Sequence, residues 1–172
     1  MFDVEINDGP QLQESNSVER GTSILDPFST PIGKLGLQIC FDMRFPEPGL
    51  ALRNRGAQVL AYPSAFTTPT GKAGHWDLLL RGRAIETQSY IIAAAQVGVH
   101  DVHGQRRSYG HSMIVDPWGK VVAELGGDDA EQGGQWKDEA EIATAEIDLD
   151  YVDKVRKQIP LKRRTDVYAE LL

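Results

Sequence analysis

The fold is decided by Gly33-Lys34-Leu35-Gly36-Leu37-Gln38-Ile39-Cys40, in which apolar residues alternate with small or polar ones. The alternation puts Leu35, Leu37 and Ile39 on one face, which is typical of a β-strand. Cys40, the single cysteine of the chain, stands where this strand ends. Folds of the α/β class place reactive groups at the carboxyl ends of buried strands. The stretch therefore predicts a strand that brings a cysteine to a cleft at one edge of a sheet.

Helical and strand patterns alternate outward from this strand. The predicted helices cover residues 45–55, 75–89 and 149–158, and the further predicted strands cover residues 59–62, 90–95, 112–115, 121–124 and 143–147. Residues 1–21 are interpreted as a polar loop, and residues 126–140 as an exposed insertion. This order predicts an α/β fold with a mixed sheet that helices cover on at least one face.

Composition bounds the class of protein. The chain has 172 residues, of which 41% are hydrophobic and 25% are charged, and it shows no internal repeat or low-complexity linker. We therefore expect residues 1–172 to form a single globular domain. One cysteine and no apolar leader predict a cytoplasmic protein, and no stretch approaches the ~20 apolar residues that a membrane helix needs. The net charge of -7 argues against a nucleic-acid partner.

The neighbours of Cys40 favour a catalytic cysteine over a structural one. Free cysteine is among the most buried residue types, so a lone cysteine is by itself more often part of a core. Here Phe41-Asp42-Met43-Arg44-Phe45-Pro46-Glu47 brings two acids and an arginine against aromatic side chains beside the thiol. Such charges seldom crowd a purely structural site. A dyad of Cys40 with His75 or His111 is an alternative that would make a thiol hydrolase of another kind.

Several strings, in order along the chain, resemble the nitrilase superfamily of carbon-nitrogen hydrolases. The string Leu37-Gln38-Ile39-Cys40-Phe41-Asp42-Met43-Arg44-Phe45-Pro46-Glu47 is similar to the family's cysteine signature. Later matching blocks are Tyr62-Pro63-Ser64-Ala65-Phe66, Thr70-Gly71, His75-Trp76, Arg81-Gly82-Arg83-Ala84-Ile85-Glu86 and Tyr109-Gly110-His111-Ser112-Met113-Ile114-Val115-Asp116-Pro117-Trp118-Gly119. The resemblance is to Nit-type amidases, and it implies a nitrilase-like α-β-β-α sandwich that is incomplete at the N-terminus. It also implies that a small carboxylate-bearing substrate such as deaminated glutathione, or alternatively α-ketoglutaramate, loses its ω-amide as ammonia.

The resemblance implies catalytic roles for three residues. Cys40 matches the nucleophile, and the backbone N–H of Phe41 would help to hold the oxyanion. Glu14 falls where a glutamate supports the family's lysine, although it can equally be a solvated loop carboxylate. The lysine and the general-base glutamate of the family are expected upstream of Met1, and Lys34 lies too close to the cysteine block to replace that lysine. We therefore expect little turnover from these residues alone, and the alternative is a noncatalytic short form that acts through association.

Arg44 is the predicted substrate-binding residue. A guanidinium beside the nucleophile can clamp a substrate carboxylate with two parallel hydrogen bonds. The alternative role of Arg44 is an ion pair with Asp42 or Glu47. The resemblance implies that Phe66 and Thr70 also line the pocket.

The sequence has no motif that indicates a metal, a cofactor or a macromolecular partner. The four histidines and the cysteine show no metal-ligand spacing, so we expect no metal and no cofactor. Members of the resembled family commonly dimerise, which implies a homodimer or a higher homo-oligomer. Trp76, Trp118 and the aliphatic residues near Leu78 are expected in the core or in a subunit interface.

Overall fold

A computed structural model describes residues 3–4, 12–101, 103, 106–128 and 140–168 of the chain. Its strands are β1 (Asp3–Val4), β2 (Leu12–Gln13), β3 (Phe28–Thr30), β4 (Gly33–Leu37), β5 (Val59–Ala61), β6 (Tyr90–Ala93), β7 (Val97–Val99), β8 (Arg107–Tyr109), β9 (Met113–Val115) and β10 (Val121–Glu124). Its α-helices are α1 (Pro46–Asn54), α2 (Thr68–Lys72), α3 (His75–Thr87) and α4 (Leu149–Gln158), and short 3-10 helices cover Glu14–Asn16 and Cys40–Arg44.

A mixed sheet organises the described residues. Six strands lie in the order β10-β9-β6-β5-β4-β3. The strands β4, β5 and β6 run parallel to one another, β3 and β9 pair antiparallel with the two sides of this group, and β10 pairs antiparallel with β9. The helices α1 and α3 form the crossovers between the parallel strands, as a parallel pair requires. The α/β class predicted from the sequence is confirmed, and two-stranded pairs β1-β2 and β7-β8 accompany the main sheet.

The main core lies between the sheet and the helices α1 and α3. Leu52 of α1, Leu80 of α3 and the strand residues Leu60 and Ile91 are fully buried there. Each such side chain contributes about 1.5–3 kcal/mol through removal of apolar surface from water. Gly36 of β4 also faces this core, because a Cβ on it would stand 2.8 Å from Leu60 and 3.0 Å from Leu52. The helices therefore pack closely on the strand that carries Cys40.

The helix α4 covers part of the opposite face of the sheet. Its Val152 and Val155 are buried, and Val152 packs with Val59 of β5. Arg156 anchors the helix, because it donates to the Ala57 carbonyl at 2.7 Å, to Ser89 Oγ at 3.0 Å and to the Gln88 carbonyl at 3.2 Å. Burial and the neighbouring Arg53 lower the pKa of Arg156 to about 10, so the guanidinium stays charged at neutral pH.

Several sequence predictions need correction or lie beyond the described residues. Residues 143–147 were predicted to be a strand but pair with none of the described strands, and only the alternating burial of an extended chain is present. The first residues, read as a loop, include the short strands β1 and β2. The strands β3, β7 and β8 and the helix α2 were missed, because three to five residues carry too little periodicity. Most of the insertion predicted at 126–140 lies outside the described residues, which stop at 128 and resume at 140.

Candidate active site

Cys40 is held at the carboxyl end of the parallel strands. The Gln38 N–H donates to the Ala61 carbonyl at 3.0 Å, and the Cys40 N–H donates to the Pro63 carbonyl at 3.0 Å. These bonds extend the β4-β5 ladder past the end of β4, so the thiol emerges at the edge of the sheet. The predicted position of Cys40 at the end of a strand is confirmed.

A tight turn then begins at the cysteine. Cys40 has a backbone φ of +40°, and the chain continues as the 3-10 helix Cys40–Arg44. A left-handed conformation costs a non-glycine residue roughly 1–2 kcal/mol. Asp42 holds the turn, because its Oδ2 accepts from the Ile39 N–H at 2.9 Å and its own N–H donates to the Ile39 carbonyl at 2.8 Å. Phe41, predicted to hold the oxyanion through its N–H, follows the nucleophile directly in this turn.

Arg44 closes the turn and sits among aromatic rings. Its guanidinium carbon lies 5.7 Å from the ring centroid of Phe41 and 5.4 Å from that of Phe66. Its Nη1 lies 3.4 Å from Nδ1 of His75. The alternative of an ion pair with Asp42 or Glu47 is not formed between these described residues. The positive charge of Arg44 therefore stands beside the nucleophile without a carboxylate partner among the described residues.

Phe66 is brought to the site, and Thr70 is held by its own turn. Phe66 is 5% exposed and packs at 5.2 Å between centroids on the buried Trp76, whose Nε1 donates to the His111 carbonyl at 2.7 Å. Thr70 Oγ1 lies 2.6 Å from Thr67 Oγ1 and donates to the Thr67 carbonyl at 3.2 Å. The role of Phe66 and Thr70 in substrate binding stays a prediction.

Glu14 and Lys34 are both exposed residues. Glu14 is exposed and begins the short 3-10 helix Glu14–Asn16, so its support of a catalytic lysine stays a prediction. Lys34 is exposed near the start of β4, whereas Cys40 follows the end of that strand. Six residues of extended chain separate the two positions by about 20 Å. This distance agrees with Lys34 as a surface residue.

Each of the two candidate histidines contacts other groups. His75 neighbours Arg44, and His111 Nδ1 lies 3.0 Å from Glu124 Oε1 while its ring stacks at 4.3 Å on Tyr109. Among the described residues neither histidine forms a hydrogen bond with Cys40. Within the same residues no three His, Cys, Asp or Glu side chains gather as a metal site. No described helix is long and apolar enough to cross a membrane.

Sequence reasoning missed a buried polar group beneath the turn. Arg83 of α3 is 3% exposed and donates through Nη2 to the Met43 carbonyl at 2.9 Å. The hydroxyl of the fully buried Tyr62 donates to Oε1 of Gln38, which is 4% exposed. Burial raises the pKa of the Tyr62 phenol, and the nearby Arg83 charge opposes that rise. The signal was present, since Arg83 stands between Leu80 and Ala84 on the apolar side of its helix.

The structure thus places the cysteine, with a positive φ, after the end of a strand in a mixed sheet, and an arginine at the other end of the same turn. The model of the carbon-nitrogen hydrolase family matches residues 1–157. The chain belongs to the carbon-nitrogen hydrolase family.

Particular relatives refine this position. The chain is 53% identical over 173 residues to the deaminated glutathione amidase of Bos taurus, with 99% of this chain and 48% of that protein covered. It is 52% identical over 171 residues to the probable hydrolase nit2 of Schizosaccharomyces pombe, with 99% of this chain and 58% of that protein covered. The crystal structure of the Caenorhabditis elegans NitFhit protein superposes with a TM-score of 0.85 at 50% identity, over 98% of this chain and 38% of that one. The chain spans about half the length of the curated relatives that it matches.

Proposed function

We propose that this chain carries the nucleophile and the substrate-orienting groups of an amidase that hydrolyses the ω-amide of a small carboxylate-bearing molecule. Deaminated glutathione is the proposed substrate, because relatives about half identical to this chain are named as its amidases. The observation that carries the proposal is the pair of Cys40 and Arg44 at the two ends of one five-residue turn. A substrate that places its amide at the thiol can place an anionic group toward the guanidinium.

The proposed reaction proceeds through a thioester. The Cys40 sulfur attacks the amide carbon as a thiolate, and the carbonyl oxygen becomes an oxyanion that the Phe41 N–H helps to stabilise. The C–N bond then breaks, nitrogen takes up a proton and ammonia leaves. Water attacks the thioester, the C–S bond breaks, and the carboxylate product and free thiol are released. A base that takes the thiol proton and a cation that stabilises the oxyanion would accelerate this reaction.

The test measures ammonia release from deaminated glutathione and from α-ketoglutaramate. The 172-residue chain is compared with Cys40→Ala and Arg44→Met, and Arg55→Met, an exposed arginine bonded to Asp26, is the matched control. Cys40→Ala is expected to abolish release. Arg44→Met is expected to raise KM by roughly 10- to 100-fold, because a hydrogen bond to a charged group contributes about 1.5–3 kcal/mol. Release that survives Cys40→Ala would refute the nucleophile, and an unchanged KM in Arg44→Met would refute the clamp.

The short-form alternative is tested in the same experiment. If a folded wild-type chain releases no ammonia while a longer form that contains it does, that result would assign the proposed reaction to the longer protein. No release by either form would exclude the amidase proposal. The preferred substrate is the one of the two with the higher kcat/KM.

We also propose that the chain self-associates through the outer side of α3. Leu78 is 67% exposed, Ile85 is 53% exposed, and Trp118 is 51% exposed, whereas Trp76 is in the core. The turn that carries Trp118 packs beside Ile85, since a Cβ on Gly119 would lie 2.7 Å from that side chain. A continuous apolar surface of this kind favours a subunit contact. Sedimentation velocity is expected to show a dimer that Leu78→Glu converts to a monomer, and a monomeric wild type would refute the proposal.

A further inference from the structure

The buried Arg83 reaches the turn that carries the nucleophile. Its Nη2 donates to the Met43 carbonyl at 2.9 Å, and its Nη1 lies 3.1 Å from Glu86 Oε2 on the same helix. Glu86 is about half exposed, whereas the Arg83 side chain is 4% exposed. Removal of a charge from water is costly unless bonds replace the lost hydration. The bond to Met43 is therefore one of the contacts that keep this guanidinium at its place.

Neighbouring elements are shaped to admit this side chain. Gly49 of α1 lies against it, because a Cβ on Gly49 would stand 2.7 Å from Arg83 Cδ and 3.3 Å from Arg83 Nε. The same Cβ would lie 3.4 Å from the hydroxyl of Tyr62, which donates to Gln38 two residues before Cys40. Arg83 of α3 thus lies against Gly49 of α1, near the bonded side chains of Tyr62 and Gln38, which follow β5 and β4.

The carbonyl that Arg83 holds lies between the two groups of the proposed site. Met43 follows Cys40 by three residues and precedes Arg44 by one. The turn is fixed at its start by the bond from the Cys40 N–H to Pro63 and by the Asp42 carboxylate. Strained backbone persists only where the surroundings over-determine it. The Arg83 bond supplies such a constraint at the far end of the turn.

We infer that Arg83 is a positioning residue that holds the Cys40–Arg44 turn through the Met43 carbonyl and so sets the thiol and the Arg44 guanidinium relative to each other. The inference rests on the proposed function for its catalytic meaning. The structural part of the inference, that Arg83 anchors the turn, does not depend on whether the chain is active. Arg83 itself is assigned no contact with substrate.

The test compares four variants of the full chain. Arg83→Met removes the donors and keeps an apolar stem, and Arg83→Lys keeps the charge and one possible donor. Glu86→Gln removes the ion pair but leaves the bond to Met43. Arg55→Met is the matched control, since Arg55 follows the far end of α1 and donates to the Ile24 carbonyl at 2.7 Å, remote from the turn. Hydrogen exchange is measured for the amides of residues 40–45 and, as an internal reference, for those of β6.

The expected result is local to the turn. Arg83→Met is expected to accelerate exchange at residues 40–45 by about tenfold or more and to leave β6 unchanged, because a charged hydrogen bond is lost. Arg83→Lys is expected to recover part of the protection, and Glu86→Gln and Arg55→Met are expected to retain it. An unchanged turn in Arg83→Met, or equal acceleration in the turn and in β6, would overturn the inference. If Arg83→Met does not fold, the other two variants decide. Wild-type exchange rates at residues 40–45 in Arg83→Lys, together with faster exchange there in Glu86→Gln, would also overturn the inference.

Activity separates this inference from the proposed function. Where the chain or its longer form releases ammonia, Arg83→Met is expected to lower kcat and raise KM together, and Arg83→Lys is expected to restore part of both. A protected turn in wild type, with no ammonia release by either the chain or its longer form, would exclude the amidase proposal and leave the anchored turn. If Arg83→Met shows wild-type kcat and KM although its amides at residues 40–45 exchange faster, the positioning role alone is refuted.

Discussion

Gly49 and Gly82, two of the helical glycines, are expected to respond in opposite directions to substitution by alanine. Both stand inside α-helices, α1 and α3, without a positive φ. By helix propensity alone, each Gly→Ala change stabilises a helix by about 0.5–1 kcal/mol. The surroundings differ, because a Cβ on Gly82 meets nothing within 4 Å, while a Cβ on Gly49 would stand 2.7 Å from Arg83 Cδ. The sign of the effect therefore tests the packing around Arg83.

The magnitude at Gly49 follows from what must move. Arg83 is held at its far end by the Met43 carbonyl and by Glu86, so its Cδ has little freedom to withdraw. Overpacking of a buried position costs about 1–3 kcal/mol, and loss of the charged hydrogen bond adds about 1.5–3 kcal/mol. After the helical gain of about 0.5–1 kcal/mol is subtracted, Gly49→Ala is expected to lower the free energy of unfolding by about 1.5–5.5 kcal/mol. For a chain of this size each kcal/mol moves Tm by about 2–4 °C.

The assay is urea unfolding of wild type and both variants, followed by tryptophan fluorescence and far-ultraviolet circular dichroism. Gly82→Ala is expected to move the midpoint to higher urea, and Gly49→Ala to lower urea, at equal slopes. A rise in stability for Gly49→Ala that matches Gly82→Ala would refute the close approach of α1 to Arg83. It would also weaken the argument that Arg83 is fixed in place.

Three further changes test other contacts by urea unfolding. Arg156→Met is expected to lower the free energy of unfolding by about 2–4 kcal/mol, since its charged hydrogen bonds anchor α4, and the exposed Lys157→Met should change it by less than about 0.5 kcal/mol. Equal effects would contradict the anchor. Leu52→Ala, at a fully buried position, is expected to cost about 2–5 kcal/mol, and a cost below 1 kcal/mol would place it outside the core. Trp76→Phe is expected to cost about 1–3 kcal/mol, because the His111 carbonyl loses its donor, and no loss would refute that bond.

The elements that carry strong local patterns were predicted well. The helices α1, α3 and α4 and the strands β5, β6, β9 and β10 lie within two residues of the predicted ranges, and β4 ends three residues before the predicted end at Cys40. The strand prediction for residues 143–147 was wrong. An alternating pattern indicates which side chains are buried, but it does not indicate whether another strand lies alongside to pair. The three-residue strands β3, β7 and β8 failed for the complementary reason, since pairing with neighbours makes them strands.

The candidate site divides in the same way. Cys40 at the end of β4, with Arg44 beside it, follows from the chain's local order, because four residues of sequence keep the two close in any fold. The neighbours of Arg44 do not follow from it. Phe66 and His75 reach Arg44 from later segments, and the choice of these contacts over Asp42 or Glu47 depends on packing.

The sequence by itself determined the strand that ends in Cys40, the helices that cross between parallel strands, and membership of a hydrolase family, because each is written in residues close together along the chain. Only the tertiary structure decided the contacts beneath the nucleophile. Arg83 meets Met43 across 40 positions, and Arg156 meets Ala57 across 99. Hydrophobic periodicity reports which side of an element is buried, but a buried polar group is stable only against a particular partner. That partner is chosen when the elements pack together, which is why the anchored turn appeared only in the folded chain.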